Sequence, residues 1–277
     1  GDRAGSDNQG NNSVAVGIFA AYGNQGAACT AVGQSAGTNA QGNNATAIGT
    51  NSGQVSQGVS STAVGHSAGY NAQGTRATAI GEIAGCVSQG NYATAVGLAA
   101  GRNSQGASAT AVGHDAGSNS QGTQSVAVGY LAGNNAQGNG SVAIGYLAGS
   151  ADQAYSSVAI GIAAGMNSQS YSAVAIGDGA GRNSQGINTV AVGAYAGCAS
   201  QTANSVAVGV AAGRYNQGLN CIAMGYDAGN NQQPNSSYYV STHSVRSNGG
   251  GSYFMRNGAG EVTLNGSDDR IKDDETF

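Results

Sequence analysis

The side chains able to carry acid–base, metal or thiol chemistry are few in this chain, and their spacing keeps them apart. Carboxylates occur singly, as Glu82, Asp115, Asp152, Asp178 and Asp227. No two recur at one level as the acid and base of a glycoside hydrolase. His66 and His114 hold equivalent places in a sixteen-residue repeat but stand 48 residues apart. At the spacing of stacked strands that is about 14 Å, too far for one metal ion. Asp is too sparse for the Gly- and Asp-rich calcium repeats. The expectation is a chain with no metal, no cofactor and no catalytic residue in its mature form.

The four cysteines fall in two phases of the repeat, Cys29 with Cys221 and Cys86 with Cys198, 192 and 112 residues apart. Stacked strands place those partners about 58 and 34 Å apart, beyond the roughly 7 Å that a disulfide spans. Free, packed thiols are expected, with bridges between chains at matching levels as the alternative.

Residues suited to recognition recur in phase. The two positions after each strand glycine vary most and include Phe19, His66, His114, Tyr130, Tyr146, Tyr195 and Tyr226, while Arg102, Arg182 and Arg214 share another phase. Tyr and Arg are typical binding residues, which makes these a candidate display surface; the alternative is that the aromatics cap edges or fill gaps between protomers. A row of Thr46, Thr62, Thr78, Thr94 and Thr110 suggests an ice-binding face as a minor reading. Val126, Val142 and Val158 continue the row, which favours ordinary β-branched packing in a buried position.

What positions all of these is a strict period. Gln recurs every sixteen residues, as Gln9, Gln25, Gln41, Gln57, Gln73, Gln89, Gln105, Gln121, Gln137, Gln153, Gln169, Gln185, Gln201, Gln217 and Gln233. A fixed period of one polar side chain is the mark of a chain wound so that each turn repeats the last. The Gln amides are expected to stack as a structural ladder, each donating to one neighbouring turn and accepting from the other.

Each unit reads small, Thr or Val, Ala, Val or Ile, Gly, then Ala-Gly four residues on, then the Gln corner. In Ser125-Val126-Ala127-Val128-Gly129, β-branched residues alternate with Ala, the period of a strand with two distinct faces. Both faces read as buried, the alanine one by a second copy of the chain, which predicts a homo-oligomer. Two glycine series, from Gly17 and from Gly37, with Ala21 the exception in the second, fall where a tight coil must turn. The fourteen Gln intervals give a rod of about 67 Å.

Composition agrees with a thin fold. The 277 residues include 49 Gly, 3 Phe, no Trp and only 8% charged residues, so the interior is expected to consist of Val, Ile, Ala and Thr between two close sheets. The net charge of -4 comes with no Lys or Arg cluster, which argues against nucleic acid. No apolar stretch of eighteen residues and no leader-like opening is seen, so membrane insertion is not expected, and Gly1 points to a processed or partial chain.

The segments Asn12-Ser13-Val14-Ala15-Val16-Gly17, Ser141-Val142-Ala143-Ile144-Gly145, Ser157-Val158-Ala159-Ile160-Gly161 and Asn204-Ser205-Val206-Ala207-Val208-Gly209 closely resemble the N-S-V-A-I-G repeat of trimeric autotransporter adhesin heads. The resemblance covers residues 1 to about 240 and implies an all-β, left-handed parallel β-roll, a β-solenoid of about fifteen turns, packed side by side as a homotrimer. The strict period of sixteen and the Gln-Gly corner depart from that family's pattern.

After Gly225 the pattern decays. Residues 241–266, with a Gly run at 249–251 followed by Ser252-Tyr253-Phe254-Met255 and Glu261-Val262-Thr263-Leu264, read as a glycine-hinged β-hairpin or neck. Ser267-Asp268-Asp269-Arg270-Ile271-Lys272 resembles the start of the intramolecular chaperone domain of endosialidase-type phage tail spikes and fibres, so that 267–277 would be its truncated beginning. That resemblance implies one self-cleavage of a longer precursor between Ser267 and Asp268.

Taken together, the sequence favours a structural fibre or tail spike of a phage or algal virus, a virion-surface rod for host attachment that meets a host receptor or glycan. The alternative is a bacterial trimeric adhesin head on the cell surface.

Overall fold

The computed structural model describes residues 1–241 and the strands Tyr253–Arg256 and Val262–Asn265. The chain is an all-β parallel solenoid of about fourteen turns of roughly 16 residues. That is one turn fewer than the sequence suggests, because the end coils form only part of a turn. The longer sheet has fifteen strands, beginning with β1 (Val14–Val16), β2 (Thr30–Val32) and β4 (Thr46–Ile48) and ending with β26 (Ile222–Met224) and β27 (Tyr238–Val240). The second has twelve, from β3 (Asn39–Gln41) to β25 (Tyr215–Gln217). Every pairing within these two sheets is parallel with partners sixteen apart, as in Val126↔Val142, Ala127↔Ala143 and Val128↔Ile144. The expected neck and chaperone segments fall largely outside the described residues, Ser267 and Asp268 among them; within 241–266, β28 (Tyr253–Arg256) and β29 (Val262–Asn265) pair antiparallel.

Each strand of the solenoid is three residues long because the corners turn it sharply on both sides. A residue two after each strand glycine, such as Asp115 (φ 54) or Leu131 (φ 53), is left-handed, and so is the middle residue of each second-sheet strand, such as Ser120 (φ 56) or Ala136 (φ 52). That middle residue interrupts the alternation of side chains. Asn119 and Ser120 both face out, whereas Gln121 points in.

Ile83 is forced into the same left-handed conformation (φ 50), which a β-branched side chain adopts only at a cost. Asn tolerates it far better, as at the equivalent Asn51 (φ 58). Ile83→Asn is therefore expected to raise stability by about 1 kcal/mol, read as a later denaturation midpoint.

The placement of the two faces reverses the sequence-based expectation. The alanines of the long sheet, including Ala31, Ala63, Ala95, Ala127 and Ala159, are fully buried inside the coil. They pack against the alanines of the glycine corner, such as Ala36, Ala68, Ala100 and Ala164. The β-branched residues point outward. Val16, Ile48, Ile80, Ile144, Ile176 and Met224 are exposed, and the row of Thr46, Thr62, Thr78, Thr94 and Thr110, like Val126, Val142 and Val158, is half-buried rather than interior. The core is thus built of Ala, Ser and Gln, not of Val and Ile. Two three-residue strands leave too little room between them for branched side chains, and close packing admits only what fits.

Candidate functional site

The interior column of Gln is the most ordered polar feature. From Gln25 to Gln233 these residues are buried, whereas Gln9 lies exposed at the open end. Gln105, Gln137 and Gln169 are among the largest fully buried side chains of the protein. From Gln41 to Gln217 each amide nitrogen donates across the coil to the carbonyl eleven residues earlier, as Gln105 to Thr94 and Gln137 to Val126, both at 2.8 Å. Several also donate to the amide oxygen of the next Gln, as Gln73 to Gln89 (3.2 Å), Gln89 to Gln105 (3.1 Å) and Gln169 to Gln185 (3.0 Å). The amide thus bridges the two sheets of one coil and, in stretches, successive coils. Buried polar groups need such partners.

The outer surface has two unlike faces. Along the long sheet, the residues beside the strand alanines are Thr, Val, Ile or Met from Thr30 to Met224, an apolar stripe running the length of the rod. Along the second sheet the outward residues are mostly Asn, Ser and Ala, and asparagine side chains link coils, as Asn103 to Asn119 (3.0 Å) and Asn119 to Asn135 (3.1 Å). An exposed apolar surface of that continuity marks an interaction site.

The candidate display residues resolve into three columns. His66, His114, Tyr130, Tyr146 and Tyr226 are exposed beside the apolar stripe. Within that column the rings of His114, Tyr130 and Tyr146 stack at 5.3 Å from centroid to centroid. His114 Nδ1 also lies 3.0 Å from the Asp115 carboxylate. His66 is not brought to His114. Phe19 and Tyr195 sit in the next column in left-handed conformation (φ 55 and 56), Phe19 against Tyr22 at 5.7 Å. Arg102 and Arg214 are half-buried in the third column and Arg182 is exposed; Arg214 lies between Tyr195 and Tyr215, 5.2 and 4.9 Å from their rings.

Sequence reasoning passed over one aromatic pair, Tyr155 and Tyr171, at the opposite corner with rings 5.6 Å apart. A signal for it existed. In these two turns the glycine that usually follows Gln is replaced, by Ala154 and Ser170.

The cysteines are free, with Cys29, Cys198 and Cys221 buried. Burial pushes the thiols of Cys29, Cys86 and Cys198 above the usual range, against a smaller opposing pull from Arg102 at Cys86 and from Arg214 at Cys198. A raised folded-state pKa means that stability from the protonated thiols is intact below the ordinary thiol range and is lost as pH climbs through the raised values. Among the described residues no group of three or more His, Cys, Asp or Glu could hold a metal, and no helix is long and apolar enough to cross a membrane.

No curated protein and no solved structure matches the chain. Nothing in the comparisons supports the chaperone-domain resemblance of the last residues. Residues 30–52, 104–132 and 122–148 match the family model described as the YadA head domain repeat, so these stretches of the β-solenoid are similar to YadA head domain repeats.

Proposed function

We propose that this chain is the head segment of a trimeric adhesin on a bacterial cell surface, a non-enzymatic rod that holds or presents an attachment surface. Three copies, each a left-handed roll, pack side by side through the outward β-branched face of the long sheet. Of the two readings open to the sequence, the family match supports this one, and nothing comparable supports the viral fibre.

The observation that carries the proposal is the asymmetry of the rod. One sheet presents Val, Ile and Thr to the outside along thirteen of its fifteen strands, and the other presents mostly Asn, Ser and Ala. Water contact with such a stripe is unfavourable, at about 25 cal/mol per Å² of apolar surface. A second and third copy would remove it along its whole length, and a straight stripe on a parallel rod meets its own kind in register.

Ile144→Lys combined with Ile160→Lys places two charges in the middle of the stripe at adjacent levels, paired in register. The expected outcome is loss of the three-chain band on chemical cross-linking, with circular dichroism still that of a β-protein. Beads coated with the parent chain should bind a host-cell layer better than albumin-coated beads, and beads carrying the double variant should bind less. Equal binding by parent and albumin beads would count against the adhesin role.

A further inference from the structure

The corner that follows the Gln column is stepped, and the step makes a groove. Two residues after Gln137 stands Asn139, with Gly140 beyond it; one turn later the equivalent place holds Tyr155, and the next holds Tyr171. The two tyrosines are 50% and 52% exposed and stack on each other at 5.6 Å with a 34° tilt. They form a wall beside a floor of Ala136 and Gly138, and the space they bound is about 450 Å³.

The polar groups in that space form an uncommon set for this rod. Asp152 is exposed in a column where Ser120, Ala136, Ser168 and Ser184 stand in neighbouring turns, and it is the one charged residue lining the groove. Asn139 accepts the Thr123 backbone N–H through Oδ1 at 2.8 Å, which fixes its amide and leaves Nδ2 to donate. An aromatic face, a carboxylate that accepts two hydroxyls and an oriented amide donor are complementary to a pyranose ring, whose C–H face is apolar and whose rim is hydroxyls.

We propose that this groove binds an uncharged pyranose of a cell-surface glycan, stacked on Tyr155 and hydrogen-bonded by Asp152 and Asn139. No cation lines the groove, so the Asp152 carboxylate disfavours sialylated or sulfated sugars by like-charge repulsion. The inference rests on the adhesin reading, since it names what the rod would attach to.

The test is saturation-transfer NMR on the full chain with lactose, cellobiose and N,N′-diacetylchitobiose, each at ~5 mM, and with sialyllactose for comparison. At least one neutral sugar should receive saturation, with sialyllactose receiving less. Tyr155→Ala should weaken the effect about fivefold or more and Asp152→Asn should reduce it, whereas Tyr155→Phe, which keeps the ring, and Tyr92→Ala, outside the groove, should not. Absence of transfer to every neutral sugar, equal transfer in Tyr155→Ala, or preference for sialyllactose would each overturn the proposal. The mass of every sample, taken by light scattering, separates the two ideas: a trimer that ignores sugars overturns the groove alone, and a monomer that binds them overturns the assembly alone.

Discussion

Replacing Gln169 by Ala is expected to lower the stability of the rod by about 2–4 kcal/mol, among the largest effects of any single side-chain truncation in this chain. Gln169 is 1% exposed. Its amide nitrogen donates to Val158 O at 2.8 Å, to Ala173 O at 3.1 Å and to Gln185 Oε1 at 3.0 Å, and its oxygen accepts from Gln153 at 3.2 Å. Truncation removes a partner from two backbone carbonyls and from the amides of Gln153 and Gln185, and leaves a void in a core whose other members are mainly Ala and Ser. The flanking Gln153 and Gln185 are already held at their own levels by the carbonyls of Val142 and Val174. Gln169→Glu should cost still more at neutral pH, because the ionised form would place a charge among acceptor carbonyls. Asn167→Ala, which removes an exposed asparagine link to Asn183, is the control and should cost about 0.5 kcal/mol or less. Chemical denaturation followed by circular dichroism distinguishes these outcomes; a Gln169→Ala midpoint equal to the parent's would mean that the Gln column is a bystander.

Gly129→Ala should be comparably damaging for a different reason. Gly129 has φ +127, and a Cβ built on it would lie 2.4 Å from the carbonyl oxygen of Gly145 in the next coil. That backbone region is essentially closed to other residues, at about 1–3 kcal/mol for the torsion alone, and the clash is with backbone that cannot swing aside. Because each coil contacts only its neighbours, a break at one level uncouples the coils on either side. Gly140→Ala offers the contrast. Gly140 also has positive φ (+63), but its added Cβ meets nothing closer than Ser156 Oγ at 4.0 Å, so the substitution should cost about 1 kcal/mol. Equal losses at the two sites would contradict the account of the corner.

The architecture was legible in the sequence to the level of register. The Gln period alone sets which residues pair, and Val126 does oppose Val142. The inside of the coil was harder to read. Alternation of Val and Ala separates two faces but does not say which is interior, and the usual rule that branched residues go inside pointed the wrong way. The deciding quantity is the width of the coil. A cross-section of two three-residue strands holds Ala and one extended Gln amide, so Val128 and Ile144 are displaced to the surface although they are the more hydrophobic residues. That displacement also moves the predicted contact between copies from the alanine face to the β-branched face.

The columns of candidate display residues were legible in part. A spacing of sixteen was enough to bring His114, Tyr130 and Tyr146 into one stack. It did not single out Tyr155 and Tyr171, because attention to the residues after the strand glycines passes over the corner after Gln. There the signal is a missing glycine, Ala154 and Ser170 where Gly138 and Gly186 stand in other turns.

The most direct test of the account is the mass of the purified chain in solution by light scattering. If the β-branched stripe is the contact between copies, the mass is three times the 26.8 kDa protomer, and it falls to one protomer when Ile144 and Ile160 carry lysine. A parent chain that stays at 26.8 kDa at every concentration would show that the stripe is left facing water, and the proposed assembly would be wrong.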